Sequence, residues 1–185
     1  MLLLAKYKEL LGEWYAKSEP HSISAWEMFF FYRYAHDKPI KRIVESGTYK
    51  GYSAFRLSLL FPSVEVVSFD KRKRHMKIAR KRFGGPFYRT GYLKDNLDIV
   101  DGDTAVLIDG PKSLEAVSLA KMVAGRAAFV AVHDVFDIVP ELEWIFDSVI
   151  HSGNPSPEER EIDIDANWGP THYGSYYGGP LAICK

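Results

Sequence analysis

Sulfur is scarce in this chain. Its 185 residues contain one cysteine, Cys184, which excludes an intramolecular disulfide and a CxxC metal site and favours a reducing compartment. Long apolar runs are missing too. The opening MLLLA is interrupted by Lys6, Lys8 and Glu9 before a signal core or a membrane span could form, and no later run is long enough to cross a bilayer. These absences predict a cytoplasmic protein with no membrane partner. Net charge is also lacking: 24 basic residues balance 24 acidic ones, which argues against a chain built mainly to hold polyanions. The balance is uneven, residues 1–94 being mostly basic and 95–185 mostly acidic. Apolar side chains are plentiful, and a content of 46% hydrophobic and 14% aromatic residues is enough for one unit with a sizeable core.

The first 38 residues read as a helical extension. LLLAKYKELLGEWY spaces apolar residues at helical intervals, and SAWEMFFFYRYAH opens with Ser24 and Glu27 in the S-x-x-E capping-box arrangement. Trp26, Phe29, Phe30 and Tyr34 then share a face, as core residues do. From residue 39 onward an α/β core is predicted. Short β-rich runs (IKRIVE, VEVVSFD, PFYRT, TAVLID, AAFVAVHD) alternate with helical stretches (YKGYSAFRLSLLF, RKRHMKIARKRF, SLEAVSLAKMVAG, PELEWIFDSVI). Strands apolar on both faces, joined by helix-length crossovers, indicate a doubly wound parallel sheet covered on both sides. EIDIDAN and GPLAICK are expected to add two strands, linked by the Gly- and Tyr-rich NWGPTHYGSYYGG, a loop that would lie over the active face.

Ligands bind such sheets outside the carboxyl ends of the strands, where the strand order reverses. VESGTYKGYSAF, residues 44–55, stands at that place. Gly47 suits a backbone conformation closed to other residues, Gly51 lets helix and strand approach, and the amides of the new helix offer polar contacts. A tight strand-to-helix turn needs glycine even with nothing bound, so the turn alone does not decide. Asp70, at the end of the next strand, has the position and type of a carboxylate that accepts both ribose hydroxyls. Together they point to an adenosine-containing cofactor. The dinucleotide fingerprint G-x-G-x-x-G is absent: Thr48 and Tyr49 stand where pyrophosphate would need glycine. Glu45, ahead of the turn, suits instead a ligand with a positive end, such as the amino group of a methionine moiety.

VESGTYKGYSAF followed by VVSFD resembles motif I and the acidic second-strand end of class I S-adenosylmethionine-dependent methyltransferases, in particular the small-molecule O-methyltransferase branch. The resemblance spans roughly residues 40–135, the extent of a doubly wound core. It implies a seven-stranded Rossmann-like sheet with an antiparallel last strand, and S-adenosylmethionine as cofactor. By it, Glu45, Ser46, Gly47 and Ser53 line the methionine side, with Thr48 and Gly51 completing the turn. Asp70, followed by Lys71, holds the ribose, Gly91 and Tyr92 flank the adenine, and Asp109 is also among the cofactor-binding residues. The resemblance also implies that Asp109, and a pair after the fifth strand, bind a divalent metal. Here that pair is His133 and Asp134, so the metal ligands would be Asp109, His133 and Asp134, a set closer to a transition-metal site than a magnesium site.

Methyl transfer needs an aligned nucleophile and removal of its proton. Asp109 and Lys112 in LIDGPKS, and His133 and Asp134 in AVHDVF, fall at the carboxyl ends of adjacent strands. Without a metal, His133 is the expected general base and Lys112 the residue that steers the acceptor. His172, Tyr173, Tyr176 and Tyr177 are candidate pocket residues. KRKRHMKIARKR, residues 71–82, carries eight Lys or Arg and no acid. A solvated helix face is the ordinary reading, and a phosphate track for RNA the alternative. A small-molecule hydroxyl acceptor, a nucleic-acid acceptor and a non-catalytic S-adenosylmethionine-binding protein therefore all stay open, as does a homo-oligomer.

Overall fold

Seven β-rich runs lie side by side in one sheet. They are β1 (Arg42–Ser46), β2 (Glu65–Asp70), β3 (Phe87–Thr90), β4 (Thr104–Ile108), β5 (Phe129–Val132), β6 (Val149–His151) and β7 (Ala182–Cys184). The structure, a computed structural model, describes residues 2–17, 22–135, 137–153, 157, 161–163 and 180–185. The strand order is β3-β2-β1-β4-β5-β7-β6. β1 through β5 pair in parallel, and β7 runs antiparallel to both β5 and β6. This is the seven-stranded, mostly parallel sheet expected, with its order reversing between β1 and β4.

The helices are α1 (Leu2–Leu11), α2 (Ala25–Ala35), α3 (Tyr52–Leu60), α4 (Lys73–Arg82), α5 (Ser113–Val123) and α6 (Val139–Glu143). Alternation along the strands divides the core in two. Ile43, Ala105, Leu107, Phe129 and Ala131 face a cluster built with α1 to α4, which includes Tyr7, Trp26, Phe31, Leu57 and Met76. Val44, Val67, Val106, Ile108, Val130 and Val132 face the other, built with α5 and α6. The N-terminal helices thus belong to the core rather than standing off from it. Tyr7 and Phe31 are almost fully buried, and burying such a side chain stabilises by about 1.5–3 kcal/mol. Cys184 is the buried last residue of β7, and burial pushes its thiol up to about 12, so it behaves as a small hydrophobe.

The capping box forms as its sequence predicts. Ser24 Oγ accepts from the Glu27 amide at 3.2 Å, and Glu27 Oε2 accepts from the Ser24 amide at 3.0 Å. The end of the chain departs from expectation. PELEWIFDSVI is not one helix: α6 ends at Glu143, and the β-branched Val149 and Ile150 form edge strand β6 instead. Ser148 and Lys185 exchange amide hydrogen bonds of 3.0 and 2.9 Å, so pairing with β7 overrides a helical spacing that is equally compatible with a strand. Of the strand expected over EIDIDAN, residues 161–163 are helical instead, and the remainder lies outside the described residues. Ile162 joins the aromatic core, and Asp163 Oδ1 accepts the Trp26 amide at the start of α2 at 2.8 Å. Among the described residues no helix is long and apolar enough to cross a membrane.

Candidate active site

The turns after β1 and β4 touch at the point where the strand order reverses. Gly47 has φ +114°, and a Cβ there would lie 2.1 Å from the Gly110 nitrogen; one at Gly110 would lie 2.7 Å from Gly47 Cα. The backbones cross too closely for any side chain, which is why both positions are glycine. The amides of Asp109 and Gly110 both donate to the Ser46 carbonyl, at 2.8 and 2.6 Å. Those of Gly47 and Thr48 donate to the Phe69 carbonyl, at 2.8 and 3.1 Å. These amides hold the turns together and are spent within the fold. Gly51 has a different reason: with φ +88°, its Cβ would meet Ala79 Cβ at 2.7 Å, where α3 packs on α4.

A cavity of about 510 Å³ opens on one side of this crossing. Ser46, Gly47, Asp70, Lys71, Gly91 and Tyr92 are among its walls, and Phe69, Leu93, Leu119 and Met122 make part of it apolar. Asp70 is anchored by the Tyr49 amide at 3.0 Å, the Arg72 amide at 2.7 Å and His75 Nδ1 at 2.9 Å. His75 also lines the cavity, and its buried Nε2 has no partner among the described residues. Of the expected cofactor residues, Asp109 lies outside these walls, and four more contribute none. Thr48 Oγ1 pairs with Ser68 Oγ, Ser53 Oγ lies 3.3 Å from Ser22 Oγ, and Gly51 serves helix packing. Glu45, the fourth, is not at the mouth. Strand alternation turns it into the interior, fully buried, where Ser68 donates to one oxygen while the other has no partner among the described residues. Burial, reinforced by the nearby Asp109 and Asp70 charges and only partly countered by Ser68, raises its pKa to about 8.

On the other side of the crossing is a smaller cavity of about 240 Å³, lined by Gly47, Tyr49, Asp70, Asp109, Gly110, Lys112, His133 and Asp134. Gly47, Asp70 and Gly110 wall both cavities. The charged residues form one network. His133 Nδ1 lies 2.7 Å from Asp109 Oδ1, and Lys112 Nζ lies 3.1 Å from the same oxygen and 2.5 Å from Asp134 Oδ2. From α2, Glu27 Oε1 approaches His133 Nε2 at 3.3 Å, a charge contact without hydrogen-bond alignment. Burial disfavours the charged imidazole, but Glu27 and Asp109 outweigh it and hold His133 protonated well above its ordinary range. Burial likewise opposes ionised Asp109, and the His133 and Lys112 cations overcome it, holding its carboxyl below the usual range.

Two sequence expectations change here. His133 is not placed as a general base, because both ring nitrogens face carboxylates and it already carries its proton. The expected metal set of Asp109, His133 and Asp134 does not fit a metal either. His133 Nδ1 already faces Asp109, and the Lys112 ammonium already bridges the two aspartates where a metal would sit. No group of three or more His, Cys, Asp or Glu among the described residues is arranged to hold a metal ion. His172, Tyr173, Tyr176 and Tyr177 lie outside the described residues.

No family model and no curated protein matches the chain. Solved structures do. The O-methyltransferase from Bacillus cereus in complex with SAH is 17% identical, with a TM-score of 0.57, over 98% of this chain and 91% of that one. The O-methyltransferase TomG from Streptomyces achromogenes, in complex with SAM, is 16% identical at TM-score 0.57 over 98% and 88%. Precorrin-6y C5,15-methyltransferase from Geobacter metallireducens is 12% identical at TM-score 0.54 over 84% and 83%. The chain has the class I methyltransferase fold.

Within this methyltransferase fold, several site residues escaped the sequence. Glu27 was legible only as a helix cap, and His75 was hidden in a basic run. Gly110 needed its counterpart Gly47 to be read. Glu115, Ser118, Leu119 and Met122 recur at helical spacing on α5 and wall the larger cavity, a pattern visible in the sequence but indistinguishable there from core.

Proposed function

We propose that the chain is an S-adenosylmethionine-dependent methyltransferase that transfers a methyl group to a hydroxyl of a small-molecule acceptor. The observation that carries this reading is the meeting of two cavities at Gly47 and Gly110, one partly apolar with a carboxylate at its edge, the other small and charged. The larger suits an adenosyl ligand. Phe69, Leu93, Leu119 and Met122 supply surface for the adenine, and Gly91 and Tyr92 flank it. Asp70 Oδ1 accepts one described hydrogen bond, from Arg72, and a carboxylate oxygen has room for a second, from a ribose hydroxyl. The unpartnered His75 Nε2 is a further polar atom for the ligand. Bound there, S-adenosylmethionine supplies an electrophilic methyl group.

The chain's own residues then position the acceptor. Tyr49, Lys112 and Asp134 bound the smaller cavity; Lys112 orients the acceptor oxygen, and Asp134 accepts its hydrogen bond. The hydroxyl proton becomes strongly acidic as its oxygen is alkylated, so a carboxylate suffices to receive it. His133 fixes Asp109, which in turn fixes Lys112. The arrangement works mainly by alignment. None of the eight cations of residues 71–82 lines the smaller cavity, and a cavity of about 240 Å³ favours a compact acceptor over a polynucleotide.

Calorimetric titration with S-adenosylmethionine, S-adenosylhomocysteine and NAD tests the reading. Binding of both adenosyl ligands and not NAD is expected, and failure of both to bind overturns it.

A further inference from the structure

We propose that Lys112 is the resident cation of the smaller cavity and occupies the position to which Asp109 and Asp134 would otherwise draw a divalent metal ion. Three carboxylates, from Glu27, Asp109 and Asp134, surround the His133 ring at the back of this cavity, and two cations, His133 and Lys112, face them. Three negative charges in a buried cluster are costly unless countered. His133 counters from the interior, its Nδ1 bonded to Asp109 and its Nε2 facing the Glu27 carboxylate. Lys112 counters from the cavity side. Its Nζ lies 3.1 Å from Asp109 and 2.5 Å from Asp134, bridging carboxylates that stand at the ends of two adjacent strands.

The stem of Lys112 places that charge reliably. Its backbone is extended at the N-cap position of α5, two residues after Gly110, which sets where the side chain starts. Burial works against its charge, yet Asp109 and Asp134 more than compensate and strengthen its hold on the proton. A covalently attached ammonium at this place needs no ion from solution, and it repels any divalent ion that approaches. Removing it leaves two aspartates that had shared one cation, with only His133 to balance three carboxylates. Carboxylate oxygens suit a hard or borderline ion such as Mn²⁺.

The test is Mn²⁺ titration of the full chain by electron paramagnetic resonance, with wild type, Lys112→Ala, Lys112→Met and the double variant Lys112→Ala/Asp134→Asn. Lys112→Met keeps the length of the stem, so a folded variant is available if alanine disturbs the start of α5; circular dichroism checks each. The expected result is Mn²⁺ binding by the Lys112 variants at least about tenfold tighter than by wild type, equivalent to about 1.4 kcal/mol, and its loss in the double variant. Equal Mn²⁺ affinity in wild type and the Lys112 variants overturns the proposal, as does the absence of binding in every protein. Mn²⁺ occupancy is read on the protein alone, so this outcome is separate from whether methyl transfer occurs.

Discussion

Glu27 accepts the Ser24 amide through one carboxylate oxygen and faces the His133 ring 3.3 Å away with the other, so a helix cap also sets the charge of the pocket. Gln at this position keeps the capping-box bond and loses only the charge. Glu27→Gln is therefore expected to destabilise the fold by about 1–3 kcal/mol, measured by urea unfolding, with the far-ultraviolet spectrum of α2 preserved. Asp70 is the counterpart on the cofactor side. Its oxygens gather Tyr49, Arg72 and His75, which preshapes the edge of the larger cavity. Asp70→Ala should weaken S-adenosylhomocysteine binding by about tenfold to a hundredfold, or about 1.4–2.8 kcal/mol. Calorimetry checks this, and unchanged affinity would remove Asp70 from the site.

Among the elements, the crossing of the β1 and β4 turns is the least forgiving. Gly47→Ala puts a Cβ 2.1 Å from the Gly110 nitrogen, in backbone, at φ +114°. The backbone must move, at an expected cost of about 3 kcal/mol or more. Gly51→Ala meets the Ala79 side chain at 2.7 Å and the Tyr88 hydroxyl at 3.1 Å, and α4 can shift to relieve it. Chemical denaturation should therefore rank Gly47→Ala as more destabilising than Gly51→Ala. The basic run is a further case at this scale. On α4, only His75, Met76 and Ala79 are buried, a narrow stripe that leaves the cations exposed. Arg80 donates to the Tyr88 carbonyl at 2.5 Å, and the stripe fastens the helix to the sheet beside the larger cavity.

For the molecule as a whole, the buried charges set how stability follows pH. Burial raises Glu45 from 4.5 to about 8, and it raises Asp163 from 3.8 to about 6 against the Trp26 amide that lowers it. A group whose pKa rises on folding stabilises below its unfolded value and loses that contribution as pH climbs through the folded value. His133, raised from 6.5 to about 10 by Glu27 and Asp109 against burial, acts in the same direction at higher pH. Asp109 has the opposite sign: lowered from 3.8 to about 2, it loses its contribution as pH falls through that window. The ligand-free protein should be most stable between about pH 4 and 5 and weaken toward alkaline pH. Glu45→Gln should flatten that decline between pH 4.5 and about 8, as thermal melts across the range would show; an unchanged slope would exclude Glu45 as its source.

The sequence by itself determined the sheet, the crossovers, the capping box at Ser24 and the strand-end positions of Asp70, Asp109 and His133. Those follow from periodicity and turn chemistry, which act over a few residues. It placed β7 within GPLAICK but left β6 misassigned, because FDSVI satisfies helix and strand patterns alike and only the β7 partner decides between them. The charge state of the pocket was beyond it too. Glu27 and His133 are 106 positions apart in the chain, and no local pattern announces that a helix cap will hold an imidazole in its protonated form. Glu45 shows the same limit in reverse: its place before the glycine turn was legible, but which face of β1 it occupies, and hence its burial, depended on how the strands packed. Electrostatics act through space, so the tertiary structure alone decided which of these groups are charged and what each can do.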